Sequence, residues 1–213
     1  IAGIFISATA GYLGTLMLSK KMSVTAGPLG HLAFPGVALA ILYDLNISVG
    51  AFPFIILGII LIWLLEIRTK LPTETLAAIV FTFGVGASLL YLPIDKAEAA
   101  LVGNIWEIST PMALTTIVLS LIVSFIIYRN YQKVMLVNIY EDLAKTEGIN
   151  VKLNNLFYLG SIAIIVALGV TLVGGLLTVA IVAIPAATAR NFSTRRGVYK
   201  GLAIIFGILS TTT

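Results

Sequence analysis

Cysteine is absent from this chain of 213 residues, and charged residues and histidine are scarce. Without cysteine, disulfide scaffolds and thiolate metal sites are excluded. Charged residues make up 10% of the sequence, whereas soluble domains carry roughly a quarter. Hydrophobic residues make up 59%, and the mean hydropathy is +1.08. We therefore expect an integral membrane protein.

The common catalytic motifs are missing as well. There is no G-x-x-x-x-G-K-S/T phosphate loop, no H-E-x-x-H and no G-x-S-x-G. A single histidine cannot supply the two imidazoles of a zincin site. All nine acidic residues lie at or near the ends of hydrophobic runs, so a relay of buried carboxylates has no candidates. We expect that the chain is not an enzyme and that another subunit supplies energy for any pumping.

The basic residues follow an alternating pattern along the chain. Twelve of the thirteen lysines and arginines fall into four short clusters. These are Lys20 and Lys21; Arg68 and Lys70; Arg129, Lys133, Lys145 and Lys152; and Arg190, Arg195, Arg196 and Lys200. The intervening turns hold only Lys96, so the positive-inside rule assigns the four clusters to the cytoplasm. A nucleic-acid-binding surface would instead need these charges together on one face.

The hydrophobic runs between the clusters predict an all-α, polytopic transmembrane helical bundle with about seven to eight spans. The predicted spans are 1–18, 28–43, 49–67, 74–93, 110–128, 154–173, 175–189 and 198 to the end. The N-terminus is then outside. We expect residues 1–213 to form a single transmembrane domain that is a piece of a longer protein, truncated at both ends.

Two of these runs contain helix breakers. The run 28–43 is short and holds Gly30, Pro35 and Gly36, and the run 154–189 is divided at Gly174 and Gly175. Broken helices survive at membrane depth only where protein or a water-filled cavity satisfies the freed backbone groups. Both breaks therefore favour an interior position in the bundle. The alternative is that Pro and Gly are simply more frequent in membrane helices than in soluble ones.

The longest polar stretch contains "NIYEDLAKTEGIN", residues 138–150. Asn138 is a candidate N-cap, Glu141 and Asp142 lie in the first turn, Lys145 follows Glu141 by four residues, and Gly148 is a stop signal. A helix of about ten residues is not stable alone in water. The stretch therefore predicts either a connector on the bundle surface or a docking helix for a cytoplasmic partner.

His31, the only histidine, lies roughly 10 to 13 residues from each predicted membrane boundary and so deep in the membrane. An ionisable residue at that depth is a candidate functional residue, and imidazole is a common ligand of transition metals. The alternative is that the ring packs between helices and hydrogen-bonds a carbonyl freed by Pro35.

Three ordered stretches resemble one family. "GHLAFPGVALAILY" is similar to S-H-A-A-L-P-G-V-A-L-A in the membrane permease subunits of the zinc, manganese and iron ABC importers of bacteria and archaea. "NIYEDLAKTEGIN" resembles the cytoplasmic D-P-E-x-A segment of that family, and "GGLLTVAIVAIPAATAR" resembles its segment ending in P-A-A-T-A-R. "LVGNIWEIS", which lies between them, is similar to an outer stretch of the family.

The resemblance implies a permease in the plasma membrane of a bacterium or archaeon that imports a divalent transition metal by alternating access. It implies no permanently bound cofactor, and it implies cytoplasmic ABC ATPase subunits, an extracytoplasmic metal-binding protein, a homodimer of permeases and surrounding membrane lipid, with no nucleic acid. Residues 138–150 would be the coupling helix. Its ATPase contacts would be Glu141, Asp142, Leu143 and Lys145, with Gly148 at its end. The pathway-shaping residues would be Gly27, Gly30, Pro35, Gly36, Gly174, Gly175 and Pro185.

The sequence departs from the family near His31. The family usually carries an aspartate four residues before the histidine, where this chain has Gly27. Backbone carbonyls between Gly27 and Gly30, His31 of a second copy, or Asp44 would have to replace that carboxylate as metal ligands. The alternative functions are a permease for another small solute or metal chelate, or a secondary carrier that works without an ATPase.

Overall fold

The computed structural model is helical throughout its assigned secondary structure and describes residues 2–20, 28, 31–45, 47–69, 71–91, 110–193 and 195–212. Its helices are α1 (Ala2–Ser19), α2 (Phe34–Leu42), α3 (Ile47–Arg68), α4 (Thr73–Tyr91), α5 (Thr110–Ile139), α6 (Glu141–Thr146), α7 (Val151–Phe192) and α8 (Arg196–Thr212). The all-α architecture expected from the sequence is therefore confirmed.

Five stretches in the described residues are long and apolar enough to cross a membrane. They are Ala2–Ser19, Ile47–Arg68, Thr73–Leu90, Thr110–Ile139 and Val151–Gly175. A shorter apolar helix covers Gly197–Thr211 in α8. Five of the eight predicted spans thus correspond to helices of full spanning length.

The break predicted in the run 28–43 is present: residues 28 and 31 are helical, residues 32 and 33 form a turn, and a helix starts again at Phe34. The helix after this turn is α2, which has nine residues and a length of about 13 Å. Pro35 lies in the first turn of α2 and does not interrupt a helix. Proline fits there because its missing N–H would have no partner inside the helix and its φ is already helical. Pro35 therefore helps to start α2.

The break predicted at Gly174 is confirmed. Gly174 has φ 82° and ψ 167°, in a region that is essentially restricted to glycine. A Cβ built on Gly169 would lie 2.5 Å from a side-chain carbon of Thr178. In a straight helix these two residues would be about 13 Å apart. The chain therefore reverses at Gly174, and the two parts of α7 run back along each other, although helical hydrogen bonding is assigned through the bend.

The chain divides into two compact units. The first unit comprises Ile1–Ser23, Thr110–Ile165 and Ile181–Thr213, and the second comprises Val24–Ser109 and Val166–Ala180. In the first unit α1 packs against α5 and α8. Gly11 of α1 lies directly against the backbone of Ala203, where a Cβ would meet the carbonyl oxygen. Small residues allow such close helix contacts where lipid supplies no hydrophobic driving force between helices.

Candidate functional site

The short helix predicted within residues 138–150 exists, but it is shorter than expected. It is α6, Glu141–Thr146, with six residues, and it is preceded by Tyr140 at the N-cap position. The prediction that Asn138 caps it is wrong, because α5 continues through Ile139. The amide nitrogen of Asn138 instead donates to the carbonyl of Leu16 at 3.3 Å and approaches Ser19 Oγ at 3.4 Å. Asn138 therefore ties α5 to α1 and is not available as a cap.

The end of α6 matches the sequence prediction. Gly148 has φ 74°, its N–H donates to the carbonyl of Lys145, and the N–H of Ile149 donates to the carbonyl of Ala144. These two bonds form a Schellman motif, in which a residue with positive φ ends a helix. Asn150 then begins α7, its side chain accepting a hydrogen bond from the Leu153 N–H at 3.1 Å. The helix thus ends in an ordered turn, and α7 begins directly after it.

The surface of α6 is polar and open. Ala144 is its buried residue, whereas Glu141, Asp142, Leu143 and Lys145 are exposed. Lys145 Nζ lies 2.8 Å from Glu141 Oε1 and 3.5 Å from Asp142 Oδ1. The hydrogen bond to Glu141 raises the pKa of Lys145, because the bond favours the charged form of the lysine. The four predicted contact residues therefore share one exposed helix, with Leu143 as its exposed apolar side chain.

His31 precedes α2 in the second unit and packs against α4. Its ring is half-buried and lies 5.4 Å from the ring of Phe81, centroid to centroid, with 35° between the planes. Next to it, Leu32 lies close to Gly58 of α3, where a Cβ would be 3.1 Å from the leucine methyl groups. Pro35 lies against Gly84 of α4, where a Cβ would be 3.2 Å from the proline ring. Glycines on α3 and α4 therefore make room for the segment that carries the imidazole.

Asp44, the predicted partner of His31, lies at the other end of α2. It follows the helix, is exposed and has φ 51°, with the Leu45 N–H donating to the carbonyl of Ala40 at 2.8 Å. Nine helical residues separate it from His31, a length of about 13 Å, so the structure does not bring the two side chains together. Among the described residues, no group of three or more His, Cys, Asp or Glu side chains could hold a metal ion.

The remaining pathway candidates fall into three groups. Gly27 and Gly30 lie outside the described residues. Gly36 contacts the backbone of Gly50 on α3, a partner that the sequence reasoning did not name. Gly174 carries the reversal of α7, while the chain is helical at Gly175 and at the buried Pro185. Of the breakers predicted in this helix, Gly174 is thus the residue with non-helical dihedral angles.

Comparison with known proteins gives matches that cover nearly all of this chain. The family model described as the ABC 3 transport family matches residues 1–213. The high-affinity zinc uptake system membrane protein ZnuB of Haemophilus influenzae is 30% identical over 99% of this chain and 82% of its own length. The manganese transport system membrane protein MntC of Listeria monocytogenes is 23% identical over 99% of this chain and 76% of its own.

A solved structure supports the fold. PsaBC from Streptococcus pneumoniae in complex with Fab has a TM-score of 0.80 over 99% of this chain and 78% of the matched one, at 21% identity. At that identity the likeness concerns the fold alone. The likeness covers 99% of this chain, so the fold is supported by more than the short sequence motifs.

Proposed function

The chain belongs to the ABC 3 transport family as a multi-pass permease of the plasma membrane, and from that premise we propose that it imports a divalent transition metal ion. The relatives named for zinc uptake and manganese transport support this class of cargo. The resemblance of "GHLAFPGVALAILY" and of two further stretches to segments of the zinc, manganese and iron importers supports the same class of cargo.

The energy comes from a separate ATPase subunit, which α6 contacts. The observation that carries this proposal is the exposed, six-residue helix that a Schellman motif ends at Gly148, with Glu141, Asp142, Leu143 and Lys145 all accessible. A helix this short gains little stability from its own hydrogen bonds. The turn at Gly148 and the salt bridge between Glu141 and Lys145 nevertheless keep the helix in one conformation. A partner can therefore bind it without the cost of ordering it first.

Alternating access follows from this coupling. Nucleotide-driven closure of two ATPase subunits moves two permease copies against each other as rigid bodies, and the pathway opens to each side in turn. An extracytoplasmic metal-binding protein delivers the ion. The chain itself needs no ATP site, in keeping with the absence of a phosphate loop from its sequence.

His31 lies on the metal pathway in this proposal. One imidazole together with ligands from a second copy, or with backbone carbonyls, makes a weak site that binds an ion in transit. Weak binding suits transport, because conduction requires that the ion can leave as well as enter. Asp44 does not share an ion with His31 within one chain, since α2 separates them.

The coupling proposal is tested by reversing charge on α6. In the double variant Glu141→Lys, Asp142→Lys, co-purification of the partner ATPase with the tagged permease is expected to fall at least about tenfold, the effect of a few kcal/mol at a charged contact. ATP-dependent metal uptake in whole cells is expected to fall with it. The helix itself loses its ion pair to Lys145, a small effect at an exposed site.

The control is Glu74→Lys, which makes half of that charge change, also in the first turn of a helix, in α4. It is expected to retain the ATPase and metal uptake. Undiminished ATPase binding by the α6 variant would contradict the coupling role. Metal uptake that persists without any bound ATPase would instead favour a secondary carrier.

A further inference from the structure

A cavity of about 330 Å³ lies in the first unit between α1, α5 and the first part of α7. Its walls are mostly apolar and include Leu16, Ile126 and Phe157, and its polar lining includes Asn154 and Tyr158. The volume lies at the lower end of the range of about 300–1,000 Å³ that small-molecule sites occupy. Coupling to an ATPase and passage of a metal along His31 do not involve this cavity.

Two polar groups in the lining have no hydrogen-bond partner among the described residues. They are the phenolic oxygen of Tyr158, a residue only 2% exposed, and the amide nitrogen of Asn154. Buried polar atoms are nearly always hydrogen-bonded, so two unpartnered ones in the same cavity indicate a ligand. Both groups can donate hydrogen bonds, so a ligand with acceptor oxygens would satisfy both.

The end of the cavity at Asn154 is its polar end. Asn154 lies near the start of α7, on the side that the basic clusters assign to the cytoplasm, and Ser161 lies about 10 Å deeper along the helix. Tyr158 lies between them. One donor near the cytoplasmic side, a second donor about 6 Å deeper and apolar side chains beside both suit the phosphate, an ester and an acyl chain of a phospholipid that enters from the cytoplasmic leaflet.

Basic residues flank the polar end. Arg129 and Lys133 are exposed and follow the lining residues Ile126 and Asn130 by three positions on α5, so they lie on the adjacent helix face. Exposed phenylalanine at position 157 and exposed isoleucine at position 126 continue the apolar wall outward. Basic pockets between membrane helices on the cytoplasmic side bind anionic headgroups.

We propose that this cavity binds one anionic phospholipid of the cytoplasmic leaflet. The phosphate accepts a hydrogen bond from the Asn154 amide and faces Arg129 and Lys133. An ester carbonyl accepts from Tyr158, and one acyl chain lies against Ile126 and Phe157. The lipid would join α1, α5 and α7 as a structural component of the first unit.

The test is retention of dioleoyl phosphatidylglycerol by the purified full chain in mild detergent, measured by native mass spectrometry and by the lipid-dependent rise in melting temperature. The native chain is expected to retain one molecule. The double variant Asn154→Leu, Tyr158→Phe is expected to bind it about tenfold more weakly, the effect of losing two ordinary hydrogen bonds. The control Tyr128→Phe changes a tyrosine that is 75% exposed and is expected to retain the lipid.

A second variant, Ile126→Trp, fills the cavity and leaves both donors in place. It is expected to lose the lipid while its melting temperature without added lipid stays at or above that of the native chain. Retention of phosphatidylglycerol by both variants at the native level would overturn the proposal. So would equal binding of dioleoyl phosphatidylethanolamine, because the proposed headgroup is anionic.

Discussion

Gly36 of α2 and Gly50 of α3 lie backbone to backbone. A Cβ built on either residue would meet the carbonyl oxygen of the other, and one on Gly50 would also lie 2.8 Å from the Cβ of Ala40. Gly36 and Ala40 form a small-xxx-small pair of the kind that lets membrane helices approach closely. This contact holds the nine-residue α2, which is too short to span the hydrocarbon on its own.

Replacing Gly36 with alanine is expected to destabilise the protein by about 1–3 kcal/mol, because the added methyl group forces two backbones apart. Thermal unfolding in detergent measures the change. The control is Gly86→Ala on α4, where a Cβ meets nothing within 4 Å, and this variant is expected to be neutral or up to about 1 kcal/mol more stable. Equal melting temperatures for the two variants would contradict the close contact.

Replacing Gly174 with alanine is expected to strain the reversal of α7. Its φ of 82° and ψ of 167° cost a non-glycine residue about 1–3 kcal/mol. The melting temperature should fall, and metal uptake should fall if the reversal shapes the pathway. Gly160→Ala, in the same helix with no neighbour within 4 Å of the new Cβ, should leave both unchanged. A stable and active Gly174→Ala variant would rule out the strained geometry.

Lys200 of α8 lies over the ring of Tyr131 of α5, with Nζ 3.5 Å from the ring centroid. Tyr131 also stacks on Tyr12 at 5.3 Å and shares a hydrogen bond with Thr15. Changing Lys200 to methionine keeps most of the side-chain volume and removes the charge, which is expected to cost about 0.5–2 kcal/mol.

Chemical or thermal unfolding measures that loss, and Tyr131→Phe is the comparison, because it keeps the ring for Lys200 and loses only the hydroxyl. If Lys200→Met leaves the free energy of unfolding unchanged while Tyr131 is kept, the cation–π contact does not stabilise the packing of α8.

His31 has two roles to separate, metal binding and ring packing on Phe81. Changing His31 to leucine is expected to reduce zinc and manganese uptake at least about tenfold if the imidazole binds the ion, since imidazole nitrogen is the group that suits these metals. Changing Phe81 to leucine disturbs the same ring contact without removing a nitrogen, and it should reduce uptake far less. Similar losses in the two variants would favour a packing role.

The local features of α6 and α7 were accessible to sequence reasoning. Gly148 ends α6 and Lys145 pairs with Glu141, because both effects depend on residues at most five positions apart. The reversal at Gly174 was also predicted, since a Gly-Gly pair inside a long apolar run is a breaker wherever it occurs. The orientation of the basic clusters toward the cytoplasm and the contact with an ATPase stay predictions.

Long-range contacts account for the errors. The residues around Asn138 are typical of an N-cap. In the structure, however, Asn138 lies inside α5 and donates a hydrogen bond to the carbonyl of Leu16, 122 positions away. No pattern in the residues around Asn154 and Tyr158 indicates that two other helices enclose them in a cavity.

Composition and periodicity alone determined that this chain is a helical membrane protein and where most of its helices lie, because each membrane helix must satisfy its own backbone hydrogen bonds and therefore follows local sequence. Only the tertiary structure decided which helices touch, that His31 and Asp44 are apart, and which polar groups are left facing a cavity. The physical reason is that helix contacts within lipid depend on the shape of both surfaces, and a single run of residues specifies one surface at a time.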